Sequence, residues 1–410
     1  MDDAIRQRIR KTLVARRADQ FRLLGLMVRQ KSENPPGDLA PHAVKTAEWL
    51  KKLAGLTAVR HSVPDEEIHP HGLKSLANLV ISHEFGPGPT VALQAHGDTA
   101  PAGPGWAGDP FAAEIRDGVM HGLGVVEAKG SLAAYVFALV ALKSVASELG
   151  GAVEIHITYD HETGGALGAP WLIENGVTNP DYVICPGGTW SIVTRHHGAL
   201  RLAVEVRSQS AGAAEAGQAT ARVLDTLYSL RAAKTPAVEG VEPPPGISVG
   251  GIHGESGKDA TPGVVTIGVT RGLAPDEDPA KAEQGLALQL GKAVAGMPGV
   301  VCRIRRLELT PPLKPAPGTE SLVAALARAA GTVLGREIPE AARSTVSDAR
   351  HYAAVGIPAV LYGAGPRAAE DAHVGGPDEN LVLDDLRQGT EVIACALADF
   401  LNRRVPAGAK

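Results

Sequence analysis

Aromatic residues are scarce in this chain. Phe, Trp and Tyr make up 4% of its 410 residues, a content that argues neither for nor against an aromatic ligand. Cysteine is scarcer still: Cys185, Cys302 and Cys395 are far apart and odd in number, which argues against a disulfide framework or a zinc knuckle. A reducing, cytoplasmic compartment is the expectation. No apolar run approaches the ~20 residues that a membrane span requires, so no membrane partner is expected. Long blocks of like charge are missing as well, and with a formal net charge of −5 nothing beyond the first helix suggests nucleic acid.

What the chain does have is length for two domains of ordinary size. Its 48 glycines and 30 prolines fall in short clusters rather than repeats, which reads as many turns in a compact fold. Basic residues crowd the first 31 positions, as in RQRIRKTLVARR, but Ile5, Ile9 and Leu13 fall four apart and predict an amphipathic helix. A transit peptide would be poor in acid, whereas Asp2 and Asp3 open this chain.

Strand-like runs then alternate with helix-length segments: NLVIS, TVALQAH, the apolar helix SLAAYVFALVALKSVASEL, VEIHITYD, a helix near 166 to 175, and DYVIC. This rhythm predicts an α/β fold, a mainly parallel sheet with helices on both faces. Between LRLAVEV and VVCRIRRLEL the pattern changes to a β-α-β-α-β unit, closed by the proline-rich LTPPLKPAPG. The expected layout is a catalytic, metal-binding domain in two pieces, 1–197 and 312–410, with an inserted α+β lid and dimerisation domain at 198–311.

Loops that follow strands carry metal-ligand residue types: His96 and Asp98 in AHGD, Glu127 in GLGVVEAKG, Asp160 and Glu162 in DHETGG, His373 and Glu379 in AHVGGPDEN. Imidazole and carboxylate are the ligands of zinc, manganese and cobalt in hydrolytic sites. A lone histidine at a strand end is usually structural, and Glu127 could simply pair with Lys129. Four such loops together point to a metal.

The ordered motifs SENPPG, QAHGDTAPAGPGWAGDPF, HGLGVVEAKGSLAAY, TYDHETGG, STVSDARHY and AHVGGPDENL resemble the metallopeptidase family that includes aminoacylase, acetylornithine deacetylase, succinyl-diaminopimelate desuccinylase and glutamate carboxypeptidase. The resemblance covers nearly the whole chain. It implies a bridged two-metal site and an inserted lid that often dimerises. His96 matches the first-metal histidine, Asp98 the carboxylate that orients it, Glu127 the bridging aspartate, and Glu162 with His373 the ligands of the second metal.

The sequence also departs from that pattern. His161 stands where the family places its general-base glutamate, and Gly187 where it places an acidic ligand of the first metal. The lid histidine has no clear match, Ala211 being the nearest, and Asp259 replaces a usual asparagine. The expectation is therefore a mononuclear site of Glu127, Glu162 and His373, completed by His96 or with His96 on substrate. His161 is expected as general base unless it pairs with Asp160 or merely packs. One divalent ion per chain is expected, manganese ahead of zinc or cobalt.

A site without its usual oxyanion donor suits a substrate whose charge develops elsewhere. These departures resemble the branch that converts 5-nitroanthranilate to 5-nitrosalicylate and ammonia. Conventional amide hydrolysis of N-acyl amino acids or peptides, with His196, His197 or His253 as donor, is the alternative, and a non-catalytic binding homologue a third. For a small carboxylate-bearing substrate, Arg271 is the expected anchor, unless Asp276 or Glu277 holds it in an ion pair; His253 is a second candidate or a plain turn residue. A homo-oligomer, at least a dimer through the lid, is implied by the resemblance.

Overall fold

The computed structural model describes residues 2–208, 213–232, 246–255, 263–343, 345–366 and 371–402. Two compact units divide the chain. One comprises Met1–Thr194, Pro315–Glu340 and Ser347–Lys410, the other Arg195–Lys314 with Ala341–Val346.

The larger unit holds six whole strands, Val59–Ser62, Ala77–Glu84, Ala152–Thr158, Thr90–His96, Tyr182–Cys185 and Ala359–Leu361, of an eight-stranded sheet whose last two in order, Ile192–His196 and Glu340–Arg343, begin in it. Ala152–Thr158, Thr90–His96, Tyr182–Cys185 and Ala359–Leu361 pair in parallel, whereas Val59–Ser62 with Ala77–Glu84, Ala77–Glu84 with Ala152–Thr158, and Ala359–Leu361 with Ile192–His196 pair antiparallel. These central strands read as near-continuous apolar runs because helices cover them. The helix Lys129–Lys143 is apolar all round and is buried from Lys129 to Leu142, as a core helix must be. Ile5, Ile9 and Leu13 of the helix Asp3–Arg29 join the same core, so the basic first segment is amphipathic, with a buried apolar edge.

Register places the site. Gln94 pairs with His156 and His96 with Thr158, so His96 ends one central strand beside the end of the next. Asp98 and the turn His161–Thr163 follow at the same carboxyl edge, where open α/β sheets place their ligands. A three-stranded sheet, ordered Asn380–Val382, Val119–His121, Glu114–Arg116, fixes the start of the loop that leads to Glu127.

The second unit is a four-stranded sheet, ordered Ile247–Glu255, Val264–Leu273, Gly198–Ser208, Val300–Thr310, with its own apolar cluster around Leu202, Val204, Val223, Ile267 and Leu290. It has one strand more than the β-α-β-α-β reading: Ile247–Glu255, whose glycines and register shift between Val249 and Ile252 hide its alternation. No helix among the described residues is long and apolar enough to cross a membrane.

Candidate metal centre

His96, Glu127 and His161 each offer a ligand atom, and these atoms lie within 4.8 Å of one another. Their rings and loops are held by separate devices. His96 Nδ1 donates to the backbone carbonyl of Asp98 at 3.1 Å and lies 3.3 Å from the Asp98 carboxylate. His161 Nδ1 donates to Asp348 Oδ1 at 2.7 Å. The two imidazoles stack, centroids 4.1 Å apart and planes 15° off parallel. With each Nδ1 occupied by an acceptor, each Nε2 is the nitrogen left to bind, the arrangement by which carboxylates orient metal-ligating histidines.

Asp98 is fully buried, and its Oδ2 also accepts from Asn34 Nδ2 and from the Glu162 amide, both at 3.1 Å. Burial alone would raise its pKa, but the hydrogen bond and charge of His96, then His161 and Asn34, hold it below the ordinary range. The same opposition sets the histidines. Burial pushes His161 down, yet the charge and hydrogen bond of Asp348, with Glu127 and Asp98 behind them, push it up to about 10. For His96, burial and His161 are outweighed by Asp98 and Asp348, and its pKa is raised. The partner of His161 is thus Asp348, and not Asp160, whose side chain accepts from the Leu167 amide. Burial first, then the charges of Asp348 and Asp98, push Asp160 up to about 8.

Glu127 sits at the end of a loop drawn tight around one carboxylate. Glu379, 1% exposed, accepts from the amides of Gly124 and Val126 at 2.8 Å and of Glu127 at 3.2 Å. It therefore shapes the loop that presents Glu127. Lys129, buried, donates to Ser32 Oγ at 3.0 Å, and Ser32 to the Gly97 carbonyl at 2.7 Å. The lysine is used for loop packing here.

Glu162 and His373 are not in this donor cluster. Glu162 is exposed, yet it lies within reach of the charges of His96, Asp98, His161 and Glu127. Loss of water around it, offset by His96 and His161 and reinforced by Asp98 and Glu127, raises its pKa. His373 is exposed, with a backbone φ of 52°. Gly187, expected where an acid would complete the first metal, has no room for any side chain. A Cβ there would lie 2.7 Å from Leu361 C and 2.8 Å from Tyr362 N, both backbone atoms.

In the second unit the Arg271 fork makes a two-pronged ion pair with Glu277, the pairing weighed against a substrate role. His253 is an exposed residue of the strand Ile247–Glu255 and not of a turn. His196 and His197 are buried, and His196 Nδ1 donates to the His197 carbonyl at 2.8 Å. Ala211 and Asp259 lie outside the described residues.

Asp348 is the site residue that sequence reasoning passed over. It stands in the quoted STVSDARHY motif, but nothing in the spacing linked it to a histidine 187 positions away.

Taken together, the fold and these donors define an α/β protein with a two-histidine, one-carboxylate centre at the carboxyl edge of its sheet. The chain belongs to peptidase family M20/M25/M40, whose family model matches residues 92–399. It is 32% identical over 173 residues to a succinyl-diaminopimelate desuccinylase of Zymomonas mobilis, covering 40% of this chain and 42% of that protein. A Xanthomonas campestris protein of the same name is 39% identical over 92 residues, 22% of this chain and 24% of that one. The matched segments thus span less than half of those relatives. Among solved structures, the di-peptidase Dug1p of Saccharomyces cerevisiae matches 99% of this chain and 100% of its own with TM-score 0.74 at 16% identity. Human carnosine dipeptidase 1 matches 97% and 99% with TM-score 0.71 at 17% identity.

Proposed function

We propose that this chain hydrolyses a C–N bond of a small carboxylate-bearing substrate, using one divalent ion held by His96, Glu127 and His161. The observation that carries this reading is the donor cluster itself, two imidazoles with oriented Nδ1–H groups and one carboxylate within 4.8 Å. Two histidines and a glutamate are a donor set that catalytic zinc uses, and manganese and cobalt accept the same chemistry. A divalent ion bound there would supply Lewis-acid chemistry, lowering the pKa of water toward neutrality and polarising the bond attacked.

The chain's own residues do the rest. Asp98 and Asp348 hold the imidazoles in one tautomer and orientation. Glu162, its pKa raised beside the charges of His96, Asp98, His161 and Glu127, is the group assigned here to take a proton from water and return it to the leaving nitrogen. His161 and Glu162 thereby exchange the roles the sequence suggested. Manganese remains the proposed ion, and the closure at Gly187 supports one per chain.

The substrate proposal follows the relatives' names: an N-succinyl or other N-acyl amino acid, or a dipeptide. A second reading, deamination of 5-nitroanthranilate, is favoured by the same closure, since the acidic ligand used by two-metal relatives has no place here. A substrate carboxylate that reached Arg271 would have to displace Glu277. Dimerisation through the inserted unit and a cytoplasmic location belong to the same proposal; sedimentation of the full chain tests the first and cell fractionation the second.

The deciding assay loads the chain with manganese, zinc or cobalt and offers N-succinyl-diaminopimelate, dipeptides and 5-nitroanthranilate. Release of succinate or free amino acids supports amide hydrolysis, and release of ammonia supports deamination. No turnover with any loaded ion overturns the proposal in favour of a ligand-binding homologue.

A further inference from the structure

We infer that Asp348 is the positioning residue that turns His161 from a base into a metal ligand. This rests on the ligand set proposed above. Asp348 is 4% exposed and reaches the site from a different part of the chain, just before the short helix Ala349–Ala354. Its two oxygens have separate duties. Oδ1 accepts from His161 Nδ1 at 2.7 Å, and Oδ2 accepts from Gln94 Nε2 at 2.9 Å. Gln94 lies two residues before His96 on the same strand, so one carboxylate ties the turn carrying His161 to the strand carrying His96.

The surroundings leave it little freedom. Arg350 NH1 lies 3.7 Å from Oδ1, and the same guanidinium donates to the carbonyls of Ser347 and Gly164. Gly165 closes the other side, where a Cβ would meet Asp348 Oδ1 at 3.0 Å. A carboxylate only accepts, so His161 keeps a proton on Nδ1, and Nε2 is the nitrogen that can give up its proton to a metal. Without Asp348 the ring is free to turn and to take the other tautomer. The stack on His96 shows the result: two imidazoles, each braced by its own aspartate, side by side.

The test is a double-mutant cycle read by manganese and zinc affinity, measured by chelator competition on the full chain without substrate. Asp348→Ala and the isosteric Asp348→Asn should each weaken binding by about 10–100-fold, the usual effect of removing such an orienting group. In the His161→Ala background the same substitutions should change affinity by less than about 2-fold, since the residue they act through is gone. Imidazole ¹⁵N shifts of the zinc-loaded chain should show His161 protonated at Nδ1 and bound through Nε2 in the parent, and altered in Asp348→Asn. Circular dichroism identifies a variant that fails to fold, and Asp348→Asn then carries the test. If His161→Ala leaves affinity unchanged, the ligand set itself is wrong. If His161→Ala weakens binding but the Asp348 variants do not, or weaken it equally in both backgrounds, Asp348 is merely structural and the inference is overturned.

Discussion

Placing even a methyl group at Gly187 should destabilise the larger unit, and the structure sets the size of the effect. The residue continues the parallel ladder in which Cys185 pairs with Leu361; Tyr362 donates to the Cys185 carbonyl and Gly365 to the Gly187 carbonyl. A Cβ at 187 would lie 2.7 Å from Leu361 C, 2.8 Å from Tyr362 N and 3.0 Å from Leu361 O. All three are backbone atoms, so no side chain can swing away to make space. Overpacking usually costs about 1–3 kcal/mol, and a clash against a paired strand belongs at the upper end. At roughly 2–4 °C per kcal/mol for a unit of this size, Gly187→Ala should lower Tm by about 4–12 °C. Gly188→Ala is the control, because its nearest neighbour is the Pro366 carbonyl at 3.3 Å. Calorimetry of the two variants side by side gives the comparison. A Gly187→Ala protein as stable as the parent would refute the steric argument. A Gly187→Asp protein that folds normally and binds a second ion would refute the mononuclear reading with it.

Glu162→Gln should keep its metal while turnover falls by roughly 10²–10⁴, the usual share of a general base; unchanged turnover would remove Glu162 from the mechanism. Glu379→Ala leaves three amides without their acceptor, each worth about 1–3 kcal/mol when buried, so a marked fall in Tm and weaker manganese binding are both expected. Acid sensitivity should trace in part to His42, whose pKa is lowered to about 3 by burial first and by Lys129 second. Below pH ~6.5 the unfolded chain takes up a proton that folded His42 refuses, so its contribution is complete above that pH and is lost as pH falls toward 3. His42→Gln, which can still bond Tyr159 and the Met27 carbonyl, should flatten the fall in urea midpoint between pH 7 and 4.5; an unchanged slope would assign the sensitivity elsewhere.

Much of the fold was legible because the signals were local. TVALQAH reads as a short, mostly apolar strand that ends at His96, and an unbroken apolar run predicts the buried helix Lys129–Lys143. The strand Ile247–Glu255 escaped notice because Gly250, Gly251 and Gly254 erase its pattern. For the site, His96, Asp98, Glu127 and His161 were visible as residue types at strand ends. Their grouping was not, since it depends on where a turn aims its side chains. Asp348 reaches His161 across 187 positions of sequence, and Gly187 is closed by a strand that arrives from residues 359–361; only tertiary structure reports either.

The most direct measurement is the number of manganese ions bound per chain in the parent and in His161→Ala, Glu162→Ala and His373→Ala. One ion in the parent, with affinity lost in His161→Ala and largely kept in the other two, is the predicted result. Two ions in the parent, or one ion that survives His161→Ala and is lost with Glu162 or His373, would contradict the centre described above and restore the ligand set that the sequence alone suggested.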